Sequence, residues 1–230
     1  MSSTADIINA ILIEDILRRE LPDHALEHMD AALAPEARPD HITRLLVAVP
    51  NEWRGSVVLL LYRSHAAVDL FRQALDDCWK HDHDVLVATV GSRATLKAMF
   101  RRAAFQILDG PEIVRVWRGT SNCPLARAKN GLSWTTDRAA ACWFATTYWK
   151  RLGNKPLVLR MDAPRSAFLY HGNDRHEAEM LTFDSRTFRP VVDGTPPEWL
   201  SIGQAFEKKR EADRLRDLAE KVGSHSGSAA

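Results

Sequence analysis

At Gly110 and Pro111 the hydrophobic pattern of the chain changes period, and that change constrains the fold more than any other feature. Before it, apolar residues recur at helical spacing. Ile8, Ile11, Leu12 and Ile16 follow Thr4 or Asp6 as a cap, and Asp23 opens a second helix carrying Leu26, Met29 and Leu33. Pro35, Pro39 and Pro50 then punctuate the chain, and the stretch from Ser56 to Lys80 is mostly helical in pattern. Within it, VVLLLY (57–62) fits a helix or a buried strand, because a short apolar run has no period to separate them. Ser92 is placed to cap ATLKAMFRRAAF, with Leu96, Met99 and Phe100 inward and Arg101 and Arg102 nearer the surface.

After the change, short runs of strand character follow one another: EIVRVWRG (112–119), GLSWTT (131–136), PLVLRMD (156–162), SAFLYHG (166–172), EAEMLTFD (177–184) and FRPVVD (188–193). One helix interrupts them, with Asp137 as its cap and Ala141, Phe144, Ala145, Tyr148 and Trp149 at helical spacing up to Gly153. The expectation is an α+β chain in three parts. Residues 1–110 form a helical N-terminal region packed on a catalytic core, 111–201 a β-rich core with a mostly antiparallel sheet, and 202–230 a solvated charged helix with a disordered Gly/Ser/Ala tail.

The chain of 230 residues is long enough to bury a core, and its net charge of +1 gives no general affinity for nucleic acid. It has no apolar run of membrane-spanning length, and acids stand where a secretory leader would be basic, so a cytoplasmic protein is expected. Cys78, Cys123 and Cys142 are odd in number and form no CxxC pair, which points to small core residues. Neither GxGxxG nor GxxxxGK[ST] occurs. The run His81-Asp82-His83-Asp84 has no second ligand cluster at zinc-like spacing and reads as an exposed turn between helices, so no metal is expected.

Three polar intrusions into apolar strands carry the functional signal. In the first, Arg118 falls on the face of Val114 and Val116, and Gly119 beside it admits a ligand or another backbone. A half-buried guanidinium there needs an anion, either a carboxylate in a salt bridge or a phosphate. In the second, Ser133 and Thr135 share one face of a strand just before the Asp137 helix, where hydroxyls can also form cross-strand pairs or help a cap. In the third, Glu177 and Glu179 continue the row of Leu181 and Phe183, so two like charges about 7 Å apart must be solvated at a strand end or held by partners.

The order Arg, then Ser-x-Thr, then Glu-x-Glu on separate strands resembles the arginine-serine-glutamate, cholera-toxin-like class of mono-ADP-ribosyltransferases, over roughly residues 112–193. GLSWTTDRAAACWFA is also similar to a run in phage and bacterial relatives. The resemblance implies a split antiparallel β-sandwich and NAD as substrate. Arg118 would grip the diphosphate or a ribose, and Ser133 and Thr135 would support the glutamate and the nicotinamide end. The family's last serine is here a threonine, which keeps the hydroxyl. Glu179 would hold the nicotinamide ribose, and Glu177 would assist an acceptor, with arginine favoured. A carboxylate beside the ribose stabilises the positive charge that develops as the nicotinamide bond breaks, and a second can orient the nucleophile. Trp134, Phe144 or Tyr148 would stack on the flat ring. Tyr170 and Arg175, in the turn-rich loop before the acids, would meet a macromolecular acceptor.

The implied protein is a toxin or effector, with an inhibitor or antitoxin among its conceivable partners and no membrane. Three alternatives stand beside it: a NAD glycohydrolase using the same residues, a non-catalytic interaction module with a structural Arg/Glu network, and an RNA-binding protein using Arg101, Arg102 and the basic C-terminal residues.

Overall fold

The computed structural model describes the backbone of residues 4–107, 109–152, 155–172 and 178–226, and their side chains except at 5, 148–152 and 220–226. The chain divides into two compact units, Met1–Gln106 and Ile107–Ala230.

The first unit is helical: α1 (Thr4–Glu20), α2 (Asp23–Leu33), α3 (Pro39–Ala48), α4 (Asn51–Arg63), α5 (Val68–Val90) and α6 (Arg93–Ala103). The ambiguous VVLLLY run lies in α4. Val57, Val58, Leu60 and Leu61 are all buried, so this helix is apolar nearly all round and shows little period. Ser92 caps α6 by accepting the Thr95 N–H at 3.3 Å.

One expectation for this unit is corrected in part, at Asp82. The His81-Asp82-His83-Asp84 run lies within α5 where two helical segments meet across a kink at Asp82 (φ −135°, ψ 34°), and His81, His83 and Asp84 are exposed as expected. Asp82 is buried there because Arg54 pairs with it at 2.9 Å. Arg101 is exposed as expected, and Arg102, nearer the surface than the buried Leu96, Met99 and Phe100, is half-buried. It donates to the carbonyls of Tyr62, at 2.6 Å, and Ala66, and lies over the Tyr62 and Phe71 rings, closing the C-terminal end of α4.

The second unit contains β1 (Ile113–Ser121), α7 (Leu125–Ala128), β2 (Ser133–Thr135), α8 (Arg138–Leu152), β3 (Pro156–Pro164), β4 (Tyr170–Gly172), β5 (Glu179–Leu181), β6 (Val191–Val192) and α9 (Pro196–Ser226). The strands make one antiparallel sheet in the order β4-β5-β2-β1-β3-β6. Among the described residues there is no second sheet, so the sandwich expected from the resemblance is replaced by a single layer. Asp137 caps α8 as expected, its Oδ1 accepting the Ala139 N–H at 2.7 Å.

One face of the sheet carries a core of Val116, Trp134, Leu159, Met161, Ala163, Phe168 and Met180. On the other, Ala141, Cys142 and Ala145 of α8 pack with Val158 and with Trp199 of α9. Gly119 makes this contact close: a Cβ there would stand 1.8 Å from the Ala141 carbonyl oxygen. Helix α9 begins at Pro196, earlier than the sequence suggested, and its first turns dock on α8 through Trp199, while most of 207–219 is exposed as expected. The last residues of the expected tail, 227–230, lie outside the described residues, and α9 runs on to Ser226.

Candidate functional site

The strand order places the three polar intrusions on neighbouring strands. Ser133 and Thr135 lie on β2, between Arg118 on β1 and Glu179 on β5. Trp117 pairs with Thr135 and Thr135 with Glu179, so these three residues form one row across the sheet. Because side chains alternate, Arg118 lies on the opposite face, with Trp134 and Met180. The strands therefore bring the arginine and the glutamate close in the sheet but direct them to opposite faces.

The join between β1 and β2 is narrow. Only Trp117 and Thr135 are paired across it, and the Ser133 carbonyl accepts from Arg118 Nη1 at 2.6 Å. Arg118 Nε is buried and makes no hydrogen bond. It packs where a side chain on Gly131 would be, since a Cβ there would fall 2.2 Å from that nitrogen. Burial pushes the Arg118 guanidinium below its ordinary pKa, while the charges of Cys123 and Glu179 oppose the shift. This guanidinium has one neutral acceptor where a desolvated cation is best served by an anion.

The hydroxyls are differently placed. Thr135 is buried, and its Oγ1 accepts the Asp137 N–H at 3.0 Å, so it shapes the turn into α8. Ser133 is half-buried. Glu179 is half-buried at the first position of β5, and the residue before it, Ala178, has φ 43°. A left-handed alanine is strained by about 1 to 3 kcal/mol, and such residues gather at functional sites. It also stops the strand alternation from reaching back through 178, which removes the basis for placing both acids on one face. Glu177 itself lies outside the described residues, as do Arg175 and the Tyr148 side chain.

Other candidates serve the interior. Trp134 is 1% exposed in the core and donates its indole N–H to the Gly131 carbonyl at 3.1 Å, so it presents no open ring face. Tyr170 is also 1% exposed, because its position on β4 points inward, and it offers nothing to a macromolecule. Phe144 is half-buried against Trp143, with ring centroids 4.9 Å apart. Gly119 admits the backbone of α8, one of the two occupants its sequence position allowed.

Two features were not anticipated. A cavity of about 180 Å³ lies beside Val114 and Met180 on the Arg118 face, with Thr136, Asp109, Arg165 and His171 in its wall. Burial lowers the His171 pKa, which favours a neutral imidazole, and Arg165 is held by the Pro111 carbonyl at 2.6 Å. These residues come from segments far apart in the chain and form no local motif. The second feature is a polar clamp on the Glu179 face. Asp193 Oδ2 accepts from Trp117 Nε1 at 2.9 Å and from Arg138 Nε at 2.8 Å, and Arg138 Nη2 donates to Glu198 at 2.6 Å. Burial raises the Asp193 pKa, but the bonds from Arg138 and Trp117 outweigh it and hold the carboxyl below its ordinary value. The signal for this clamp was Asp193-Gly194 between a strand run and a helix.

Cys78 and Cys142 are buried, and burial pushes their thiols up to about 12 and about 11, which makes both poor nucleophiles. Among the described residues no group of three His, Cys, Asp or Glu side chains is arranged to hold a metal, and no helix is long and apolar enough to cross a membrane. No protein-family model matches the chain, and neither does any curated protein or solved structure.

Proposed function

We propose that the second unit is a mono-ADP-ribosyltransferase that cleaves NAD at the nicotinamide-ribose bond and transfers ADP-ribose to a macromolecular acceptor. The observation that carries this reading is the placement of Arg118, the Ser133/Thr135 pair and Glu179 on three neighbouring strands, with the hydroxyl strand in the middle. A family likeness read from three short motifs requires them to be adjacent in space, and widely separated strands would have ended it.

NAD fits the charge of the site. Arg118 supplies a desolvated cation with one neutral acceptor, suited to a phosphate. Glu179 supplies a half-buried carboxylate next to a strained residue, suited to stabilising positive charge on a ribose. The role of aromatic stacking passes from Trp134, which is in the core, to the half-buried Phe144. Glu177 keeps the role of acceptor base, with arginine as the favoured acceptor, and the biological setting is that of a toxin or effector.

The test is nicotinamide release from NAD by the purified chain beside Glu179→Gln and Arg118→Leu, each shown by circular dichroism to be folded. Labelled NAD in a lysate separates transfer from hydrolysis. Release that Glu179→Gln lowers by about a hundredfold or more supports the reading. Absence of release and of NAD binding overturns it.

A second reading has its own observation. Arg118 and Glu179 lie on opposite faces, as in a module where the arginine serves the core and the glutamate the other surface. That reading expects Arg118→Leu to lose stability, whereas the enzymatic one expects it to lose turnover.

A further inference from the structure

The cavity on the Arg118 face has an apolar floor and a polar opening. Met180 forms the floor and pairs across the sheet with His171, so both side chains point to that face. Val114 and Ile107 add apolar wall. Another wall is the segment that enters β1, which Arg165 pins in place. The Arg165 backbone N–H donates to the Glu112 carbonyl at 2.8 Å, and its Nε and Nη2 donate to the Pro111 carbonyl at 3.2 and 2.6 Å. Asp109 and Thr136 are exposed and Met180 is buried, so the opening lies at the polar end. Neither Arg118 nor Glu179 lines this cavity.

Size narrows what can enter. At about 180 Å³ the cavity is smaller than the roughly 300 to 1,000 Å³ that encloses a drug-sized molecule, whereas an apolar cavity of about 150 Å³ holds benzene. One six-membered ring with a small substituent fits, and a dinucleotide does not. The lining favours a flat ring: the Met180 thioether makes good contact with a ring edge, and the His171 imidazole offers a stacking surface. His171 makes no hydrogen bond or ion pair with any described residue, and burial favours its neutral form, so it keeps an N–H to donate.

At the opening, the chain's own residues show which group the cation attracts. The Arg165 side chain is only 20% exposed, and the fully exposed Asp109 carboxylate stands 4.0 Å from its Nη1. That distance exceeds a hydrogen bond, and so exposed a contact is worth little. A carboxylate carried on a ring inside the cavity would reach the same guanidinium with its apolar body already out of water.

We propose that this cavity binds a monocyclic aromatic carboxylate, with the ring against Met180 and His171 and the carboxylate on Arg165 in place of Asp109. The site does not rest on the NAD reading, because its residues are separate from Arg118 and Glu179.

The experiment is an NMR titration of the full chain, isotope-labelled at its methionine methyl groups, with benzoate at about pH 7, where the acid is ionised. Benzamide, of the same shape without the charge, is titrated beside it. The chain has five methionines, and Met180→Leu identifies the Met180 signal. The expected result is a ring-current shift at Met180 with a Kd on the order of 1 mM for benzoate and binding about tenfold weaker for benzamide. Asp109→Asn removes the competing carboxylate and tightens benzoate about threefold, and Thr136→Trp blocks the opening. Both variants change exposed side chains, so each keeps the wild-type circular dichroism. No shift at Met180 with benzoate at about 20 mM, well above the expected Kd, overturns the proposal. Benzamide binding as tightly as benzoate overturns the role of Arg165 and with it the carboxylate. A benzoate shift unchanged in Thr136→Trp also overturns it, by placing the ligand elsewhere.

Discussion

The two units treat a half-buried arginine in opposite ways. In the helical unit Arg102 donates to two carbonyls at the end of α4 and lies over two aromatic rings, so its guanidinium is spent on closing a helix. In the β-rich unit Arg118 has one carbonyl and a buried nitrogen without a partner. Burial lowers the pKa of both. The same desolvation is thus met by local structure in one place and left open in the other. A buried donor without an acceptor is a cost to folding that the Arg102 arrangement avoids.

The largest effect tests packing rather than charge. Gly119→Ala would drive a methyl group into the Ala141 carbonyl and the Ala145 amide, both backbone, so α8 must move off the sheet. We expect a loss of about 3 kcal/mol in urea unfolding. A loss below 1 kcal/mol would show that the close approach is dispensable.

The comparison itself is tested by removing each guanidinium. Arg102→Leu leaves two carbonyls without their donor and is expected to cost about 2 to 3 kcal/mol. Arg118→Leu removes a desolvated charge and one hydrogen bond, and stability should change by less than about 1 kcal/mol. Equal losses in the two variants would break the contrast and favour a structural role for Arg118.

The smallest effect is a pH dependence. The Asp193 carboxyl is held below its ordinary value, so its contribution is present above the usual carboxylate range and is lost as pH falls through the lowered pKa. Unfolding midpoints should be flat near neutrality and fall below about pH 4. Asp193→Asn should lower stability at neutral pH and remove part of the acid-side slope. An unchanged slope would assign the acid sensitivity to other groups.

Much of this organisation was legible because it is local. Asp137 and Ser92 are caps set by the residues beside them, and the β runs announced themselves by composition. The helix over VVLLLY was not legible, because burial on every side erases the period that separates helix from strand. The burial of Asp82 was hidden for a different reason. Its partner Arg54 lies in another helix, and four alternating histidines and aspartates look solvated until that partner is found.

At the candidate site, sequence order supplied the strands but not the faces. Whether Arg118 and Glu179 share a face depends on the pairing of Trp117 with Thr135 and of Thr135 with Glu179, and register is set by contacts across strands. The left-handed Ala178 was equally hidden, since nothing in the alanine itself calls for a positive φ.

The outer strands of the sheet carry one more consequence. The outermost strands are short, β4 with three residues and β6 with two, and β6 pairs with the nine-residue β3 only at Leu159 and Arg160. A short edge strand such as β4 is a poor template for adding strands from a neighbouring molecule, whereas the part of β3 beyond β6 relies on other segments to cover it. Association by strand addition is thereby discouraged at the β4 edge.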